Sequence, residues 1–369
     1  MRIATALRGR AAIAMTVAAC SGLMAAGATP AAAHDGGPGG WGGWAPFGHG
    51  RTMPGPWGGG WRDGSPPPPP TLSGDWAPFN RCPVDDPTML AAEGEKNIAL
   101  CVAVNSPSGA IKLSDLTLPT GEGNIQFGLV GENHEESETT YRLVSPEGGA
   151  TSVAPIAIPD GLPGLICPGA PRWLSWICRA HPGGSHGDNG LTDITATVQP
   201  AGELSNFDLD GALAVEVPIV TMPVKIHLEN RLLGPECYIG SDSEPIVLQL
   251  ENLTGFTSSA FEGFEPDGSP ATEGGTMIRI GLLGATEGDK AFALPGVSGC
   301  GFRGALDGVI DDNAELPSPP SENALVLNET STYLTGLSSP GAVAPNDGKD
   351  LSQYWHSAVQ SGPHGHGHH

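Results

Sequence analysis

VPIVTMPVKIHLENRLLGPECYIGSDSEPIVLQLENLTG, residues 217–255, carries the clearest strand and turn signals in the chain. Val224, Ile226 and Leu228 alternate with Lys225, His227 and Glu229, and Ile246, Leu248 and Leu250 alternate with Val247, Gln249 and Glu251. A period of two sends each apolar set to one face, so both runs predict strands with one buried side. Between them, Gly234-Pro235 and Gly240 to Pro245 supply positive φ, fixed φ and side chains that bond their own backbone, so the chain reverses there. Cys237-Tyr238-Ile239 is a short strand that a disulfide could pin. A helix is the rival reading, but Pro218, Pro223, Pro235 and Pro245 would each remove a hydrogen bond or clash with the preceding turn, which favours strands.

The same pattern extends in both directions. Ile98 to Val104, Ile111 to Leu113, Ile125 to Val130 and Thr140 to Val144 precede it, together with Ile194 to Val198 and Leu213 to Val220, and Met277 to Leu283 follows it. No amphipathic helix longer than three turns stands out, and parallel strands need helical crossovers. The expected fold is therefore all-β, an antiparallel sandwich or barrel spanning 76–336, either as one body or as two packed lobes meeting near residue 200.

The N-terminus reads as a signal peptide over 1–33. Arg2, Arg8 and Arg10 form a basic start, residues 11–28 are almost all small or apolar, and Ala31-Ala32-Ala33 suits cleavage before His34. Lipid attachment at Cys20 is the rival, but the apolar run continues past that cysteine. Gly22, Gly27 and Pro30 interrupt the segment and argue against a stable membrane span. The 17 basic and 40 acidic residues give a net charge of −23, and loss of the three arginines makes the mature chain more acidic still. Such a surface repels phosphate backbones, which argues against nucleic-acid binding.

Residues 34–75 are a Gly/Pro-rich tether in which Trp41, Trp44, Trp57 and Trp61 are the candidate adhesive side chains, able to stack on a cell-wall polymer or meet another envelope protein. Residues 337–369 read as a flexible tail. Its end carries His364, His366, His368 and His369, which would hold copper, nickel or zinc adventitiously; no resident cofactor is expected.

Without Cys20 six cysteines remain, an even number that suits disulfides in an oxidising compartment. Fifteen pairings are formally open, and proximity with local turns favours Cys82 with Cys101, Cys167 with Cys178, and Cys237 with Cys300. A structural zinc is the rival, but no C-x-x-C pair is present. CPVDDPTMLAAEG, SPSGAIKL, the segment PVKIHLENRLLGPECYIGSDSEPIVLQLENLTG, and ALPGVSGCG followed by LPSPPSENALVLNETSTYL resemble a family of secreted actinobacterial proteins. The resemblance implies export and a cysteine-bearing envelope protein, and brings no activity or catalytic residues with it.

Searches for chemistry return little. Gly296-Val297-Ser298-Gly299 runs into Cys300 and forms no nucleophile elbow, and His134-Glu135-Glu136-Ser137-Glu138 lacks the second histidine of a zinc protease. Ser185, His186 and Asp188 share one loop, as do His181 and His186, and neighbours rarely converge into a triad or metal site. Asn206 to Gly211 begins like a calcium loop, but Val217 stands at its twelfth position. His34 at a mature terminus would offer part of a copper brace on a tether too flexible to hold it.

Two function classes follow. One is a non-catalytic envelope or matrix protein that binds or adheres; the other is an extracellular carrier of an apolar small ligand in a strand-lined pocket. A secreted hydrolase or copper enzyme ranks a distant third. The apolar segment Ile156 to Cys178 is either a cover over the core or a lid over such a pocket, so a cavity would separate the two classes.

Overall fold

The computed structural model describes residues 74–94, 97–132, 139–168, 178, 192–272, 274–338 and 345–360. Among them fifteen antiparallel strands form one sheet: β1 Asn97–Ser106, β2 Ser108–Leu113, β3 Leu116–Thr120, β4 Gly123–Glu132, β5 Thr140–Val144, β6 Thr151–Val153, β7 Ile156–Ala157, β8 Thr195–Pro200, β9 Pro218–Glu229, β10 Tyr238–Ile239, β11 Ile246–Asn252, β12 Ser258–Phe264, β13 Met277–Asp289, β14 Val297–Ser298 and β15 Ala324–Leu337. Helices α1 Pro87–Leu90, α2 Gly161–Ile166, α3 Asp307–Ala314 and α4 Asp347–Gln360 accompany them among the described residues.

Long strands are shared between pairs of short ones. One edge of β15 holds β13, while the other holds β1 at Ser331–Gly336 and β2 at Ala324–Asn328. Likewise β4 holds β5 and β6 on one edge, and β9 holds β11 and β10 on one edge and β8 on the other. Bulges between Leu283 and Glu287 and between Leu250 and Glu251 add local twist. The sheet therefore curls until β6 and β8 lie side by side, although no ladder joins them. This is the all-β architecture the alternation predicts. It has no break near residue 200, because β8 pairs along β9.

Alternation on β9 buries Val220, Met222, Val224, Ile226 and Leu228 inside the curl, each worth about 1.5–3 kcal/mol when fully removed from water. Phe127, Leu129, Ile246 and Leu248 complete that inner core, and α2 and α3 close one end of it through Leu162, Ile166 and Ile310. A second core lies on the convex face of β1. There Ala99, Cys101 and Ala103 are covered by Trp76 and Phe79 of a 3-10 helix at Gly74–Phe79, by Met89 of α1, and by Leu351 and Trp355 of α4.

Two expectations need correction. Leu213 to Val220 is a strand only from Pro218: Glu216 has φ 60, and the Asn252 amide donates to the carbonyls of Ala212 (3.0 Å) and Ala214 (2.9 Å), which holds the segment as a loop. The tail expected over 337–369 is shorter, because α4 packs onto the sheet. Its Trp355 indole donates to Phe79 O at 3.1 Å, and Asp347 accepts from Ala99 N at 2.6 Å. No helix of the described residues is long and apolar enough to cross a membrane.

Candidate functional site

The inward side chains do not fill the curl. Met222, Val224 and Ile226 from β9, Ile246 and Leu248 from β11, and Leu325 from β15 surround a cavity of about 60 Å³ whose lining is nearly all carbon. Close packing normally leaves few voids larger than a water molecule.

Three of the polar residues on its wall are Ser106, Asn124 and Thr120. Ser106 Oγ donates to Ser108 O (2.7 Å) and Asn328 O (3.0 Å). The Asn124 amide is turned to Asn105 Oδ1, Arg81 and Gln126. Thr120 Oγ1 is buried without a hydrogen-bond partner. No charged side chain lines this cavity.

Beside it, at the seam where β6 and β8 meet without a ladder, lies a second cavity of about 210 Å³. The two share Thr151, Met222 and Val224, so one continuous wall runs from outer space to inner. Ser145 and Glu203 make the outer part more polar. Gly149, at φ +91, lets its loop lie against Pro200: a Cβ there would fall 2.6 Å from the proline ring. The Arg81 guanidinium fixes the same loop, donating to Gly149 O at 3.0 Å and Ala150 O at 2.8 Å. Burial lowers the pKa of that arginine, and its neighbour Cys82 anchors the segment to β1 through the Cys82–Cys101 disulfide.

The six cysteines are joined as Cys82–Cys101, Cys167–Cys178 and Cys237–Cys300, the pairs that sequence proximity favours. They point to an oxidising compartment. Ile156 to Cys178 contributes Ile156 to the cavity wall, whereas Leu162 and Ile166 cover the core at its α3 end. Trp41, Trp44, Trp57 and Trp61, the histidines His364, His366, His368 and His369, and the loop with His181, Ser185, His186 and Asp188 all lie outside the described residues. The Asn206 to Gly211 segment is a turn in which Asp208 accepts from Asp210 N at 2.9 Å. Among the described residues no three His, Cys, Asp or Glu side chains cluster as metal ligands would.

Sequence reasoning missed Thr120. The signal was present: Leu116, Leu118 and Thr120 share a face of β3, so the third residue carries a hydroxyl to the side where the others carry carbon. Glu287 is a second buried polar group, 4 % exposed, but it is satisfied by the hydroxyls of Thr330 (3.0 Å) and Thr332 (2.5 Å), and burial raises its pKa. It does not line the cavity. No protein-family model, curated protein or solved structure matches the chain.

Proposed function

We propose that this chain is an exported, non-catalytic binding protein that takes a small apolar molecule into its curled sheet. The observation that carries this reading is the carbon-lined cavity whose wall continues, through Thr151, Met222 and Val224, into the larger space at the seam. Apolar cavities of this kind stay dry and gain from any apolar guest that fits. The two spaces lie below the usual size of a drug-binding pocket, so the guest is a short chain and not a fused ring system. Export accords with the leader over 1–33 and with three disulfides. Adhesion to cell-wall polymer or to another envelope protein through Trp41, Trp44, Trp57 and Trp61 ranks second, since it draws on the tether alone.

NMR titration of the full exported chain with 1-chloropropane to 1-chlorohexane tests the primary reading. Affinity is expected to rise about fourfold for each methylene, at about 0.8 kcal/mol apiece, until the space is full. Met222→Trp fills the shared wall and should abolish binding; Val153→Trp, at the half-buried rim, serves the same purpose if the first variant does not fold. Absence of binding along the whole series, or binding that both variants leave intact, would overturn the proposal.

A further inference from the structure

Around most of the curled sheet, a way in means breaking a ladder: β4 with β6, β8 with β9, β9 with β11 and β15 with β2 are all hydrogen-bonded. The seam between β6 and β8 is different, because among the described residues no ladder joins those two strands. Pro200, which ends β8, has no N–H to offer across it, and its ring lies where Gly149 passes. Both cavities abut this seam. Thr151 and Val153 of β6 and Val198 of β8 line the inner one. Ala150, Thr151 and Pro200 line the outer one, whose rim residues Ser145, Gly202 and Glu203 are exposed.

The loop 145–150 closes the seam. It leaves the edge of β4 between β5 and β6 and turns through Gly148 and Gly149, at φ +81 and +91, to lie against Pro200. Its returning end is held from behind, where the Arg81 guanidinium donates to Gly149 O and Ala150 O. Arg81 is itself fixed: its backbone N–H donates to Gln126 Oε1 at 2.8 Å and its guanidinium to Asn124 Oδ1 at 2.8 Å. It lines neither cavity, so it touches the loop and not the space a guest would fill. Two charge-assisted bonds to a glycine-bearing loop can open and reclose while the ladders stay intact.

Resting on the binding function proposed above, we infer that an apolar guest enters the inner cavity through the β6–β8 seam and that Arg81 is a positioning residue that sets how fast the seam opens. The guest passes from the outer space to the inner along Met222 and Val224, which line both. Arg81 holds the closed loop in the empty and the filled protein alike. It therefore governs the rates of entry and exit and leaves the affinity alone.

Exchange of 1-chloropentane, followed by NMR on the full exported chain, reads both rates and their ratio. Arg81→Met keeps the aliphatic stem and removes both bonds to the loop, so entry and exit should each quicken about tenfold while Kd stays within about twofold of wild type. The paired variant Gly149→Cys with Pro200→Cys works in the opposite direction. A Cβ at Gly149 lies 3.0 Å from that of Pro200, so a small outward shift of the loop reaches the roughly 3.5–4.5 Å of a disulfide. With the added bridge confirmed by mass, both rates should fall at least about tenfold at unchanged Kd. Arg81→Lys, which can keep only part of the contact, should fall between wild type and Arg81→Met, and serves if the bridge does not form. Wild-type rates in the bridged protein place the entrance elsewhere and overturn the seam; wild-type rates in Arg81→Met overturn the latch. A change in only one of the two rates, and hence in Kd, would make Arg81 part of the bound site and overturn its gating role. These outcomes leave the apolar site standing, whereas a wild type that binds no 1-chloropentane sinks the binding function and this inference with it.

Discussion

The two faces of β1 meet cores made from different material. Inward, Val102 and Val104 join a core made mostly of aliphatic side chains from strands, closed at one end by Leu162, Ile166 and Ile310 from helices. Outward, Ala99, Cys101 and Ala103 are small, and the layer over them is assembled from segments 74–92 and 345–360, which are far apart in the chain. That layer is held by directed contacts: the Trp355 and Trp76 indoles donate to Phe79 O and Gly268 O, and the Arg279 guanidinium binds Glu262 and the Asp75 carbonyl beside the rings of Phe264 and Tyr333. Carbon packing tolerates an imperfect fit, which is why a cavity can persist inside. Directed bonds tolerate less, so the outer layer should come away as a unit or stay as a unit.

Disulfides offer the strongest way to break this contrast. Cys237–Cys300 pins the inner core and closes a separation of 63 residues, whereas Cys82–Cys101 pins the outer layer across 19. Chain entropy then predicts a loss of roughly 4 kcal/mol for the paired Cys237→Ala and Cys300→Ala variant and roughly 3 kcal/mol for Cys82→Ala with Cys101→Ala. Denaturant midpoints at constant m-value would measure both. If the outer pair proves the costlier one, the outer layer is part of the global folding unit and the contrast fails.

Trp355→Ala asks the same question from the other side. Its ring is 9 % exposed and its indole is bonded, so truncation should cost about 3 kcal/mol, the lower end for a buried tryptophan. The loss should be local. Amide exchange across Asp347–Gln360 is expected to accelerate about a hundredfold. Amides of β9 and β11 should keep their protection, and equal acceleration throughout would show that the two cores melt together.

How far the sequence could be read divides along the same line. β9 and β11 are explicit in it because one side of each faces water, so the period of two survives in Lys225, His227 and Glu229. The disulfide pairs were legible from proximity. What stayed hidden depends on contacts between distant segments. In α4, Leu351, Trp355 and Ala358 follow helical spacing, but Asp350, Ser352 and Gln353 make the stretch look polar, and its partners Phe79 and Met89 lie over 250 residues earlier. The cavity was hidden for another reason: alternation tells which side chains point inward, not whether they fill the space they enclose.

Asp347 offers the smallest and most selective test, because it sits on the boundary between the cores. It begins α4, is 0 % exposed, bonds Ala99 N through one oxygen, and leaves the other buried without a partner. Burial pushes its pKa from 3.8 up to about 6; the Ala99 bond opposes the shift and nearby Asp350 adds to it. The docked state thus holds the proton more tightly than the released one. Docking is therefore strongest below about pH 4, weakens as the pH rises through the interval from about 4 to 6, and is flat above it. The whole effect is on the order of 2 kcal/mol, since the positive end of the helix offsets part of the burial. Asp347→Asn keeps an acceptor for Ala99 and removes the ionisation, so the share of the pH dependence of α4 protection that Asp347 supplies should disappear. In wild type the α4 amides should be better protected at pH 4.5 than at pH 7.5. Other carboxylates of this acidic chain titrate in both proteins, so the difference between the two profiles is the quantity to measure; parallel profiles would mean that Asp347 does not govern docking.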